Sequence, residues 1–190
     1  SSSPTDVQPV FEAIVGTAVR HLGCDIALVQ TVSGDTYSPR AMATPDGLAP
    51  VPGALVMPVD PAANFPSRAI AGKTMLHLPD WSAIELPPYE QGVYDRGGYR
   101  SSLMLPILRG SDCIGLIGIF RDAAGAFSDK EIALMQSFVD QAVIAIENVR
   151  LFNETKEALE RQTATAEILR VISGSVTETQ PVFDAIVQSC

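Results

Sequence analysis

The sequence predicts a mixed helix-and-strand domain that exits through one long helix. Three observations carry this reading: helical spacing of apolar residues near the start, two strand pairs flanking a proline-rich middle, and no glycine or proline from Arg150 to Gly174. The opening apolar residues are Val7, Val10, Phe11, Ile14, Val15, Ala18 and Leu22, the i, i+3, i+4, i+7 rhythm of an amphipathic helix, with Gly23 placed to end it. Cys24–Val32 then reads as a largely buried strand, Ser33-Gly34-Asp35 as a turn and Thr36–Ala43 as its partner. Between Thr44 and Pro66 stand six prolines, at 45, 50, 52, 58, 61 and 66, with Pro39 just upstream. Proline gives no backbone donor, so this stretch is a loop with one short edge strand near 55–59.

A short helix is expected over Asn64–Gly72, a short strand over Thr74–Leu78, and an irregular piece over Leu86–Gly98. Ser101–Leu108 and Cys113–Phe120 are apolar runs joined by Arg109-Gly110-Ser111-Asp112, which is a hairpin. Ser128 and Glu131 have capping-box spacing, so a helix starts there. Ile132, Met135, Phe138, Val139, Ala142 and Ile146 form its core-facing stripe. Running from about 129 to 172, it spans roughly 65 Å at 1.5 Å per residue. Residues 153–165 hold little apolar side chain beyond Leu159, and such a helix is expected to pair with a second one.

Composition narrows the function. Hydrophobic residues make up 46% and charged residues 18%, proportions of a globular chain. The formal net charge of −9, with no basic run to offset it, repels phosphate backbones and anionic membranes, so neither is expected as a partner. No apolar stretch approaches the roughly 20 residues needed to cross a bilayer, and the first ten residues lack the basic and apolar regions of a signal peptide. Three widely spaced cysteines (Cys24, Cys113, Cys190) suit reduced thiols and a cytoplasmic setting, with no disulfide framework or zinc site.

The chain also repeats itself. Ser1–Ala18 and Ser173–Cys190 align with an offset of 172 residues and are identical at ten of 18 positions, including Gln8/Gln180, Pro9/Pro181 and Phe11/Phe183. That period exceeds any solenoid unit and suits a whole domain with its connector, used in tandem. The expected organisation is a domain over 1–152, a helical signalling linker with coiled-coil character over 153–174, and the first helix of a second, truncated copy over 175–190. The chain is thus expected to be a fragment of a larger protein.

Four motifs in this order resemble the GAF domain, a sensory module of histidine kinases, cyclases, phosphodiesterases and transcriptional activators. They are HLPD (His77–Asp80), RSSLMLPILRGSDCIGLIGIF (Arg100–Phe120), FSDKE (Phe127–Glu131) and VIAIENVRLFNET (Val143–Thr155). The resemblance implies an α+β fold: an antiparallel sheet of five or six strands, with the first and last helices packed on one face. The irregular segments would cover the other face, where the family's ligand pocket lies. The function implied is ligand sensing passed through the exit helix to an output such as a histidine kinase or cyclase. The alternative is a ligand-free spacer and dimerisation module, and a homodimer through the terminal helices is expected in either case.

Candidate chemistry is sparse. Ser101 and Ser102 lack a G-x-S-x-G frame, and His21 and His77 have no acidic neighbour, so no catalytic constellation is read. His77 is read as a strand-end histidine tied to backbone, not as a haem ligand. No cysteine lies between Cys24 and Cys113, which argues against a bilin. For cyclic nucleotide, Phe127 and Glu131 match the family signature, but Arg121-Asp122 replaces its Asn-Lys pair. The expected pocket residues are Trp81, Tyr94, Tyr99, Arg100 and Ser102, aromatic walls with a few polar groups.

Overall fold

Seven strands form one antiparallel sheet, and each face of it is covered by a different kind of element. The computed structural model describes residues 7–51 and 55–187, with side chains through 170; the serines and Thr5 of the first repeat copy, and residues 188–190 of the second, lie outside the described residues. The chain divides into two units, residues 1–147 and 148–190.

In the first unit, α1 (Gln8–Leu22) buries Phe11, Ile14, Val15, Ala18 and Leu22, and Gly23 closes it at a φ of 53°. Strands β1 (Ile26–Ser33) and β2 (Thr36–Thr44) follow, turning at Gly34 with a φ of 57°. The middle contributes β3 (Gly47–Ala49), β4 (Met57–Pro58), α2 (Phe65–Gly72), β5 (Leu76–Leu78), a 3-10 turn at Trp81–Ala83 and α3 (Pro88–Asp95). Then come β6 (Ser101–Arg109), β7 (Asp112–Arg121) and α4 (Asp129–Val187). The sheet order is β3-β2-β1-β7-β6-β5, with β4 also paired to β2. The count exceeds the five or six strands the resemblance implied because β3 and β4 are short additions along β2.

Leu86–Gly98 is a correction. It is read as irregular in sequence, yet residues 88–95 are helical. Gly92 and the scarcity of apolar residues hide the helix, although Pro88 and Glu90 in its first turn are ordinary start signals.

Strand alternation builds two cores. Ala27 and Val29 of β1, Leu103, Leu105 and Ile107 of β6, and Ile117 and Ile119 of β7 meet α1 and Met135, Phe138, Val139 and Ala142 of α4. On the opposite face Tyr37, Met104 and Leu116 meet Phe65, Ala69, Ile70 and Trp81. Strands covered on both sides need apolar residues at every position, which explains the continuous runs in β6 and β7.

Two local devices fix this arrangement. The Arg121 guanidinium donates to the carbonyls of Leu22 at 2.6 Å and Gly23 at 3.3 Å, a cation at the C-terminus of α1. It also pairs with Glu131 and lies 4.0 Å from the Phe127 ring centroid. The expected capping box forms as well: Ser128 N donates to Glu131 Oε2 at 2.7 Å, and Glu131 N to Ser128 Oγ at 3.4 Å. One side chain thereby joins the end of α1, the end of β7 and the start of α4.

The second unit is the later part of α4, which runs unbroken to Val187 through the expected linker and the start of the second repeat copy. Leu151, Leu159 and Ile168 are exposed, and Arg150–Glu154, Lys156–Glu160 and Arg161–Glu157 are i, i+4 ion pairs. Such pairs add only a few tenths of a kcal/mol each.

Among the described residues one helix, between Asp129 and Arg170, is long and apolar enough by length and composition to cross a membrane, with a mean hydropathy of 1.2. The sequence reading missed it because the apolar residues are interrupted by isolated charges. Its apolarity includes the buried stripe of Met135, Phe138, Val139 and Ala142.

Gly115 allows β7 to lie close against β1. A Cβ there would stand 2.7 Å from the Gln30 carbonyl oxygen and 3.0 Å from Ile107 Cδ1. Gly115→Ala is therefore expected to destabilise the domain by about 2 kcal/mol, read as a lower urea midpoint at unchanged slope.

Candidate functional site

The sheet face turned away from α1 is covered by short elements, which leave a cavity of about 240 Å³. Alternation along β1 supplies its floor: Ile26, Leu28 and Gln30 line the cavity while Ala27 and Val29 face the helices. Tyr37 and Met42 of β2 and Phe120 of β7 extend that floor. Met57, Pro66, Trp81, Tyr89, Glu90, Val93 and Tyr99 come from the elements of the middle segment and the approach to β6. Two larger hollows, of about 370 Å³ beside Glu12 and Asp46 and about 520 Å³ beside Lys73 and Cys113, are more open to solvent. The 240 Å³ cavity is the better candidate because it is more enclosed and has a buried charged group in its wall.

That group is Glu90, 2% exposed. Its Oε1 accepts the Phe65 N–H at 3.0 Å, capping the start of α2 from α3. Its Oε2 has no hydrogen-bond partner. Burial pushes the carboxyl up to about 7, opposed by the Phe65 N–H, its own backbone N–H and the Arg68 charge. Asn64 completes the α2 cap: Oδ1 accepts the Ser67 N–H at 2.8 Å and the Tyr37 hydroxyl at 3.1 Å.

A sheet with two terminal helices on one face and a pocket on the other is what the sequence resemblance implied. The family model for the GAF domain matches residues 6–146. The chain belongs to the GAF domain family. Among curated proteins it is similar to the formate hydrogenlyase transcriptional activator FhlA of Escherichia coli K12, at 24% identity over 105 residues. The match covers 54% of this chain and only 15% of that activator. Among solved structures, the blue-light absorbing form of the Thermosynechococcus elongatus PixJ GAF domain superposes with a TM-score of 0.66 at 16% identity, covering 81% of this chain and 92% of that one. A methyl-accepting chemotaxis protein fragment, residues 122 to 287, gives 0.65 at 22% identity, covering 78% and 93%. At these identities the structural likeness establishes the fold alone.

Within this GAF domain the five residues expected from the sequence separate. Trp81 and Tyr99 line the cavity, whereas Tyr94, Arg100 and Ser102 do not. The Arg100 guanidinium stacks on Tyr94 at 3.9 Å from its ring centroid. Ser102 is fully buried and accepts the Trp81 indole N–H at 3.1 Å, so it positions the tryptophan from behind. Ser101 donates to the Ala123 carbonyl at 2.8 Å.

Arg121, Phe127 and Glu131, the positions compared with a cyclic-nucleotide signature, serve the α1–β7–α4 junction and do not line the cavity. His77 Nε2 accepts the Phe127 N–H at 2.9 Å, the backbone tie expected of it. Burial pushes the Cys24 thiol up to about 11 and raises that of Cys113, as for inert core cysteines. Among the described residues no cluster of His, Cys, Asp or Glu is arranged to hold a metal.

Sequence reasoning missed Glu90, Gln30 and Phe120. Gln30, a lone amide within an apolar strand and 6% exposed, was the legible signal. Glu90 was hidden with its helix.

The raised Glu90 value has a defined pH consequence. Between the unfolded value of 4.5 and about 7 the folded domain holds the extra proton, so stability falls as pH rises through that window. Glu90→Gln keeps an acceptor for Phe65 and removes the charge. It is expected to exceed the parent by about 3 kcal/mol at pH 8 and to match it at pH 4, read from urea melts at both values.

Proposed function

We propose that this GAF domain is the sensory, regulatory module of a larger cytoplasmic signal-transduction protein. A compact small molecule binds in the cavity, and α4 passes the change to a downstream output such as a histidine kinase or cyclase. The carrying observation is the enclosed hollow with Glu90 in its wall. Its volume lies below the roughly 300–1,000 Å³ of drug-sized sites, which favours a metabolite over a large pigment. The similar proteins include a transcriptional activator and a chemotaxis protein, which fits a signalling role. The family model matches one GAF domain, over residues 6–146, and the internal repeat alone favours a second copy beginning near Thr177.

A ligand biases a two-state element only by its differential affinity for the two states. The cavity walls come from β1, β2, β7, α2 and α3, so an occupant contacts most of the elements that cover this face. A metabolite screen by thermal shift tests the reading. One compound class is expected to raise the melting temperature, since ligand at 100 times its Kd adds about 2.7 kcal/mol. Leu28→Trp, which fills the floor, is expected to abolish that rise.

The spacer reading draws on exposed apolar residues of α4 such as Ile144, 61% exposed, and Leu159, 62% exposed, which suit helix pairing in a homodimer. It predicts no shift with any compound and loss of dimers when 153–172 are deleted, measured by light scattering.

A further inference from the structure

Resting on the sensory reading above, we propose that the cavity selects a compact organic cation, with Glu90 Oε2 accepting an ammonium or amidinium N–H. The charge pattern of the wall points to this class. Among the described residues Glu90 is the only charged one lining the cavity, and Oε2 is buried without a partner. A buried acceptor left unmade costs about 1–3 kcal/mol, a cost an incoming donor removes.

Aromatic side chains line the same cavity. Tyr37, Trp81, Tyr89, Tyr99 and Phe120 all contribute to it. Phe120 holds the rings together, 6.5 Å from Trp81 at 85° and 5.3 Å from Tyr99 at 42° between centroids. Aromatic faces carry negative electrostatic potential, so rings beside a carboxylate suit a positive ligand.

Anions meet the opposite situation. Two donors they would need are already used inside the fold: the Trp81 indole N–H on Ser102 at 3.1 Å and the Tyr37 hydroxyl on Asn64 at 3.1 Å. Arg68, whose charge acts on Glu90, does not line the cavity; its Nε donates to the Pro61 carbonyl at 2.8 Å and its guanidinium lies over the Phe65 ring.

The test uses three probes of one size and different charge: benzylammonium, benzyl alcohol and benzoate, titrated calorimetrically into the whole chain at pH 8. Benzylammonium is expected to bind at least about tenfold more tightly than benzyl alcohol, and benzoate not at all. Glu90→Gln is expected to lose the preference for benzylammonium while keeping benzyl alcohol. Lowering the pH from 8 to 6 is expected to weaken benzylammonium alone, as Glu90 takes up a proton. The other titratable or charged groups around it are Arg68, Tyr37, Tyr89 and Tyr99, and burial raises Tyr37 and Tyr99 further from this range. Benzyl alcohol or benzoate binding as tightly as benzylammonium, or an intact preference in Glu90→Gln, overturns the cation proposal and leaves the pocket standing. Failure of all three to bind, with the fold intact by circular dichroism, overturns the pocket as well.

Discussion

A sheet whose central strands are apolar on both faces must be covered on both, and everything else in this domain follows from that. Strands β1, β6 and β7 present Ala27, Val29, Leu103, Leu105, Ile117 and Ile119 to one side and Leu28, Met104, Leu116 and Phe120 to the other. Two regular helices cover the first side, with Phe11, Ile14, Val15 and Ala18 of α1 and Met135, Phe138, Val139 and Ala142 of α4 packed in its core. Arg121 fixes their relation by joining the end of α1 to the start of α4.

The second side is covered by what lies between β2 and β6, a stretch too rich in proline to form long elements. Two helices of eight residues each, a 3-10 turn and two-to-three-residue strands cannot tile a sheet face as a long helix does. They leave a hollow, and one of the two side chains that cap α2, Glu90, ends up in its wall. Glu90 shows the consequence: one carboxylate oxygen is used by Phe65, and the other is buried without a partner in a residue that lines the cavity. The division between a rigid, well-packed face and a loosely tiled one is the physical basis for assigning sensing to the second face.

Much of the fold was legible in the sequence because its signals are local. Gly23 and Gly34 at positive φ, the Ser128–Glu131 box and the Arg109–Asp112 hairpin turn are read within a few residues of where they act. The site was less legible. Trp81 and Tyr99 are conspicuous as aromatics outside long regular elements, but Tyr94, Arg100 and Ser102 lie close by in sequence and serve other tasks. Sequence proximity to a pocket does not decide which side chains enter it.

By itself, the sequence determined most of the element types, the helix over residues 88–95 excepted, together with the two-faced strands and the capping of α4. Each of these rests on periodicity or on contacts between near neighbours. Only the tertiary structure decided that Glu90 approaches Phe65 across 25 residues. It alone placed the Trp81 indole on Ser102, and set Gln30 and Phe120 in one wall with residues of the middle segment. Those juxtapositions depend on how short elements settle against a sheet, and packing over long sequence separation leaves no periodic trace in the chain.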